Sequence, residues 1–162
     1  MRDTLHLTFD ADTDGTGELF AQVRAKGFSG ASSAWFGNDR LVAFARELSQ
    51  AYPLQVGKSL SLEGGFWSKS GSVVEQLHLG LKFYPVGSVG LVGCRVTLAT
   101  SIHPQERPES QSQVAVELTT HYEELRTFAR SLNSLRMEPS MKPYLKQRSN
   151  PSYMDSPQEE RD

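Results

Sequence analysis

Leu5, Leu7 and Phe9 alternate with His6, Thr8 and Asp10, the two-residue period of a strand that buries one face. After an Asp/Gly-rich turn the alternation resumes, with Leu19, Ala21, Val23 and Ala25 set against Phe20, Gln22, Arg24 and Lys26. Gly27 breaks this second strand, and a third is expected from Phe28 to Phe36. The period then changes. Leu41, Phe44, Ala45 and Leu48 fall at i, i+3, i+4 and i+7, the buried stripe of an amphipathic helix. Asn38 or Asp39 is placed to cap it, and it should end before Pro53.

A short strand is predicted near Ser59 to Glu63, closed by Gly64-Gly65. Gln76 to Tyr84 alternates again, Pro85 to Ser88 reads as a hairpin turn, and Leu91 to Thr100 returns with Val92, Cys94, Val96 and Leu98 on one face. A proline-containing loop leads to a strand at Gln113 to Leu118. Thr120 and Glu123 fit a capping box ahead of a second helix. Its Leu125, Phe128, Ala129 and Leu132 repeat the first stripe 84 positions later.

Hairpin-length links demand antiparallel pairing. The expected fold is therefore α+β: an antiparallel sheet of six to seven strands with two amphipathic helices on one face. The helix echo suggests a pseudo-repeat of βββα halves, 4–53 and 75–137. One domain should span 1–137, since a chain of 162 residues is long enough to bury a real core. Residues 138–162 hold four of the eight prolines and few aliphatics, a composition that cannot offset the entropy of ordering. This tail is expected to be disordered; packing of Tyr144-Leu145 or Tyr153-Met154 onto a surface is the alternative.

Charge is nearly balanced, with a formal net of −2. No basic stripe suggests nucleic-acid binding. The single Cys94 cannot close an intramolecular disulfide, the N-terminus has no apolar signal run, and no long apolar segment suggests a membrane span. The expected setting is the cytoplasm.

The sharpest local motif is Asp10-Ala-Asp12-Thr-Asp14-Gly15, which matches the start of a calcium loop because alternating carboxylates before a glycine can converge on one hard cation. The twelfth position, where such a loop needs a bidentate glutamate, is Ala21. A turn of Asp and Gly is the plainer account, so Asp10, Asp12 and Asp14 form only a weak calcium candidate and no cofactor is expected. Gly87, Gly90 and Gly93 lack the following helix and Lys-Ser/Thr pair of a phosphate loop. His6, His78, His103 and His121 show no zinc spacing, and no G-x-S-x-G element marks a nucleophile. Trp35-Phe36 and Phe66-Trp67 should each send one ring into the core, leaving the other either covered by helices or loops or exposed as an interface anchor. Arg46 and Arg130 should lie at the rims of the helix stripes.

The Gly-Phe-Ser-Gly strand ending in Trp35-Phe36, the helix opening Leu41-x-x-Phe44, the meander of strands, and Val116-x-Leu118 before a second L-x-x-F helix resemble small bacterial proteins of the WapI-like immunity type and neighbouring families of unknown function. The resemblance covers about residues 4–136 and rests on hydrophobic pattern. It implies a non-catalytic protein that binds and blocks a cognate toxin, and it transfers no contact residue. The partner expected is a protein, with Trp35, Trp67, Asp10, Asp12 and Asp14 as candidate binding residues; a homodimer through an open strand edge is a further option. The alternative is a small-ligand or enzymatic domain with its site in the concave face of the sheet.

Overall fold

The computed structural model describes residues 2–88, 90–135 and 143–146. Among these the order is β1 (Thr4–Ala11), β2 (Thr16–Ala25), β3 (Phe28–Gly37), α1 (Asn38–Ser49), β4 (Leu60–Trp67), β5 (Val74–Val86), β6 (Leu91–Ala99), β7 (Gln113–His121), α2 (Tyr122–Ser134) and β8 (Tyr144–Lys146). The α+β class holds. The single sheet of six to seven strands does not: the strands form two antiparallel four-stranded sheets, β3-β2-β1-β8 and β4-β5-β6-β7. Each helix is followed by a strand that pairs with the opening strand of the other run, β4 with β5 and β8 with β1.

The reason for two sheets lies in β3. Its Ala34 and Phe36 lie against Gly64 of β4, the Ser32 hydroxyl donates to the carbonyl of His78 on β5, and Gly30 meets Val114 of β7. Gly64, Leu79, Leu98 and Val114 form one row across β4 to β7, so β3 runs across the second sheet and not alongside it. The span from Gly30 to Phe36, about 20 Å at strand rise, accommodates the three strand spacings it crosses. Such crossed packing needs small residues where backbones approach. Gly30 and Gly64 supply them: a β-carbon on Gly64 would lie 2.6 Å from Phe36 Cζ.

Inner faces of both sheets and the stripes of both helices share one core, led by Phe44, Phe83 and Phe128. The helices pack together, α1 touching β3 and β4, and α2 touching β7 and β8, so each meets one edge strand of each sheet. The expected stripes are the buried ones: Leu41, Phe44, Ala45 and Leu48, and Leu125, Phe128, Ala129 and Leu132. The expected caps are not made. Gly37 and His121 occupy the N-cap positions without side-chain bonds, and Thr120 is turned fully into the core.

β4 also runs on past Gly64-Gly65, because a bulge there lets the strand continue to Trp67. Within the tail, Leu145 is 1% exposed and pairs with Leu5, so Tyr144-Leu145 packs onto the first sheet, the alternative to disorder for this segment. One aliphatic residue flanked by polar ones suffices to complete the edge of β1. The remainder of the tail expectation, including Tyr153-Met154, lies outside the described residues.

Candidate functional site

On the first sheet the alternation that buries Leu5, Leu7, Leu19, Ala21 and Val23 turns His6, Thr8, Phe20, Gln22 and Arg24 outward. Register joins these into rows across the sheet. Asp10, Glu18 and Trp35 form one end row; Thr8, Phe20 and Ser33 the next; then Tyr144, His6, Gln22 and Ala31; and finally Lys146, Thr4, Arg24 and Ser29. One end of this outer face is thus acidic and aromatic, the other basic.

Three rings stand out from it, Trp35 at 55% exposure and Phe20 and Tyr144 at 41% each. Tyr144 and His6 stack with ring centroids 4.5 Å apart. The outward residues of β3 between the ends are Ser29, Ala31 and Ser33, so β3 forms a low floor beside the longer side chains of β2. An open depression of about 360 Å³ lies over Ala31 and Ser33, bordered by Phe20, Gln22, His6 and Thr8. A second, of about 330 Å³, surrounds Ser29 and is lined by Arg2, Arg24, Lys26 and Phe28 together with Asp3, whose Oδ1 accepts the Lys26 N–H at 3.1 Å. At the acidic end Ser33 Oγ donates to Glu18 Oε1 at 2.6 Å, fixing that carboxylate beside Trp35.

Of the candidate residues, Asp10 and Trp35 lie in one row of this face, and Asp12 and Asp14 lie in the β1–β2 hairpin that closes the same end. Their carboxylates serve the turn. Asp12 Oδ1 accepts the Thr13 N–H at 2.7 Å, and Asp14 Oδ1 accepts the Thr16 hydroxyl at 2.6 Å and its N–H at 3.0 Å. These Thr16 bonds hold the Asp14 carboxyl below the usual carboxylate range. Among the described residues no three His, Cys, Asp or Glu side chains gather to hold a metal ion.

Trp67 is elsewhere, on the second sheet at the β4–β5 hairpin. There the structure corrects the expectation of one buried ring per pair: Phe36 is buried, but Phe66 and Trp67 are 46% and 44% exposed. Register shifts on both sides of Phe66 break the simple in-out alternation. Phe66 stands edge-on to His78, centroids 4.6 Å apart. His78, expected on a polar face, is the extra residue of a bulge and is buried. Its Nε2 lies 2.6 Å from Gln76 Oε1, and Gln76 in turn bridges the N–H and C=O of Ile102, each at 3.0 Å. Burial pushes the His78 pKa down.

Two other surfaces carry polar groups. Tyr84 lies over Gly93 and its hydroxyl donates to Glu117. Between the helices a shallow groove is lined by Ala45, Arg46 and Ser49 with Ala129, Arg130 and Asn133; the two arginines are exposed, at the rims of the stripes as expected. The residues that sequence reasoning passed over are Phe20 and Glu18; Tyr144 was named only within the packing alternative for the tail. An aromatic ring at a polar-face position, as at Phe20, is the signal that could have found the outer face.

Comparison of the chain with protein-family models, with curated proteins and with solved structures gave no match. Among the described residues no helix is long and apolar enough to cross a membrane.

Proposed function

We propose that this chain is a non-catalytic protein-binding module of the immunity kind, acting in the bacterial cytoplasm, and that it engages its partner through the outer face of the first sheet. The observation that carries this reading is how the two sides of the sheet are used. The inner side, where the alternative reading placed a small-molecule site, is filled by Leu5, Leu7, Leu19, Phe83, Phe44 and Phe128. The outer side keeps Trp35, Phe20 and Tyr144 exposed beside a carboxylate cluster. Exposed aromatic rings amid polar groups are what binding hot spots are made of. The pattern-level resemblance to WapI-like immunity proteins points the same way. The matching helix stripes and the exchange of β4 and β8 also support a pseudo-repeat of the two halves.

Affinity capture from the native cell with three baits tests the reading: the wild type, Trp35→Ala with Phe20→Ser, and Trp67→Ala. A partner recovered by the first and third baits but lost from the second is the expected result. Equal recovery by all three, or none by any, would remove the proposed face.

A further inference from the structure

The outer face of the first sheet carries opposite charges at its two ends and a protruding ring at one of them, a pattern that is complementary to itself. We propose that this face pairs with the same face of a second copy, forming a two-fold dimer whose axis crosses the strands over Leu7, Ala21 and Ser32. The proposal rests on the reading of this face as a binding surface and names its resting occupant.

The register fixes the geometry. Leu7, Ala21 and Ser32 form one row. A two-fold axis along that row, in the plane of the interface, reverses the strand direction and keeps each strand over its own copy. It carries position 18 onto 24, position 10 onto 4 and position 35 onto 29. Glu18 then faces Arg24 of the second copy, about 20 Å from the reciprocal contact at strand rise. Asp10 comes down on the row that holds Lys146, Thr4 and Arg24. Trp35, 55% exposed, arrives over Ser29, where the structure has a depression of about 330 Å³ lined by Arg2, Asp3, Arg24, Lys26 and Phe28. An indole against guanidinium, ammonium and phenyl groups is favourable packing with a cation–π component.

The alternative two-fold, along the strands, would set the acidic end of one face against the acidic end of the other, and the basic end against the basic end. Like-charge contacts exclude it. Charge and shape therefore select one isologous arrangement. Because the contacts are exposed ion pairs, the dimer should weaken with salt.

Sedimentation velocity of the full chain from 1 to about 500 µM tests this, with Glu18→Arg, Arg24→Glu and their equimolar mixture. Circular dichroism and melting of each variant check that it folds. Expected are a monomer–dimer equilibrium for the wild type, weakened in 0.5 M salt, and at least about a ten-fold rise in Kd for each reversal alone. The mixture should regain a dimer, because the arginine introduced at position 18 then faces the glutamate introduced at position 24 while Arg24 faces Glu18. Trp35→Ser, which leaves the charges untouched, should also raise Kd. A wild type that stays monomeric throughout, or a dimer indifferent to both reversals, overturns the proposal. A monomeric protein whose partner capture still depends on Trp35 and Phe20 would leave the protein-binding reading standing without the dimer.

Discussion

Phe44 and Phe128 meet the same ring from two helices: each lies about one aromatic diameter from Phe83 of β5, at 6.1 and 6.0 Å, with interplanar angles of 46° and 43°. All three are fully buried. The two contacts have nearly equal geometry because the residues hold equivalent places in matching stripes, and Phe83 is the point on which both helices converge. Replacing Phe44 or Phe128 by Ala should each cost about 3–5 kcal/mol, the usual loss for a buried aromatic. The double variant should depart from additivity, since both cavities open onto one ring. Urea unfolding of the three variants checks this. A cost below about 1 kcal/mol at either position would show that Phe83 does not join the helices as described.

Gly30 and Val114 mark where β3 crosses the second sheet most closely. A β-carbon on Gly30 would overlap Val114 Cγ1. The valine branches at its own β-carbon and has few rotamers in which to retreat. Gly30→Ala should therefore destabilise by about 1–3 kcal/mol through overpacking. In a Val114→Ala background the same substitution should cost distinctly less. Such a double-mutant cycle, measured by denaturant unfolding, reads the crossing directly; additive effects would mean that the two residues are not in contact.

That crossing also shows where sequence reasoning stops. Period-two alternation made nearly every strand legible, because each has one buried face, and the helix stripes were equally plain. The division into two sheets was not, because it depends on what β3 packs against. Gly30, Ser32 and Ala34 look like part of a weak strand until a second sheet is seen lying across them. The outer face was half legible. Asp10 and Trp35 were named, but their meeting in one row with Glu18 follows from register, which hydrophobic pattern alone does not fix when the link is an irregular turn. The Phe66-Trp67 pair departs from alternation for a local reason: bulges beside Phe66 expose both rings. Packing of Tyr144-Leu145 came second to disorder, since composition averages over a stretch in which one buried leucine decides the outcome.

Cys94 pairs with Phe83 and Leu118 across the second sheet and is fully buried. Burial pushes its thiol far above the ordinary range, and the thiolate is the reactive form. A small aromatic disulfide reagent at pH 8 should therefore label the native protein only as fast as the core opens. The labelling rate should rise with urea in step with unfolding. Rapid stoichiometric labelling of the native chain would contradict the packing around Phe83.

His78 gives the fold a pH dependence of definite sign. With Nε2 against Gln76 Oε1 and Phe66 closing one side, the ring has no carboxylate partner in these contacts, and burial holds its pKa below the ordinary 6.5. Gln76 Oε1 already accepts the Ile102 N–H, so the bond to His78 requires the Nε2–H tautomer, and a second proton would have to reside on Nδ1 of a ring that is 5% exposed. The unfolded chain takes up that proton near pH 6.5, before the native state does. His78 therefore contributes its full share of stability above about pH 6.5, and that share is lost as pH falls through the lower native pKa. Unfolding free energies of wild type and His78→Gln, compared between pH 7.5 and 5, should converge or cross as the pH falls, because only the wild type carries this dependence. Parallel curves would mean that His78 is protonated as easily in the native protein as in the unfolded chain.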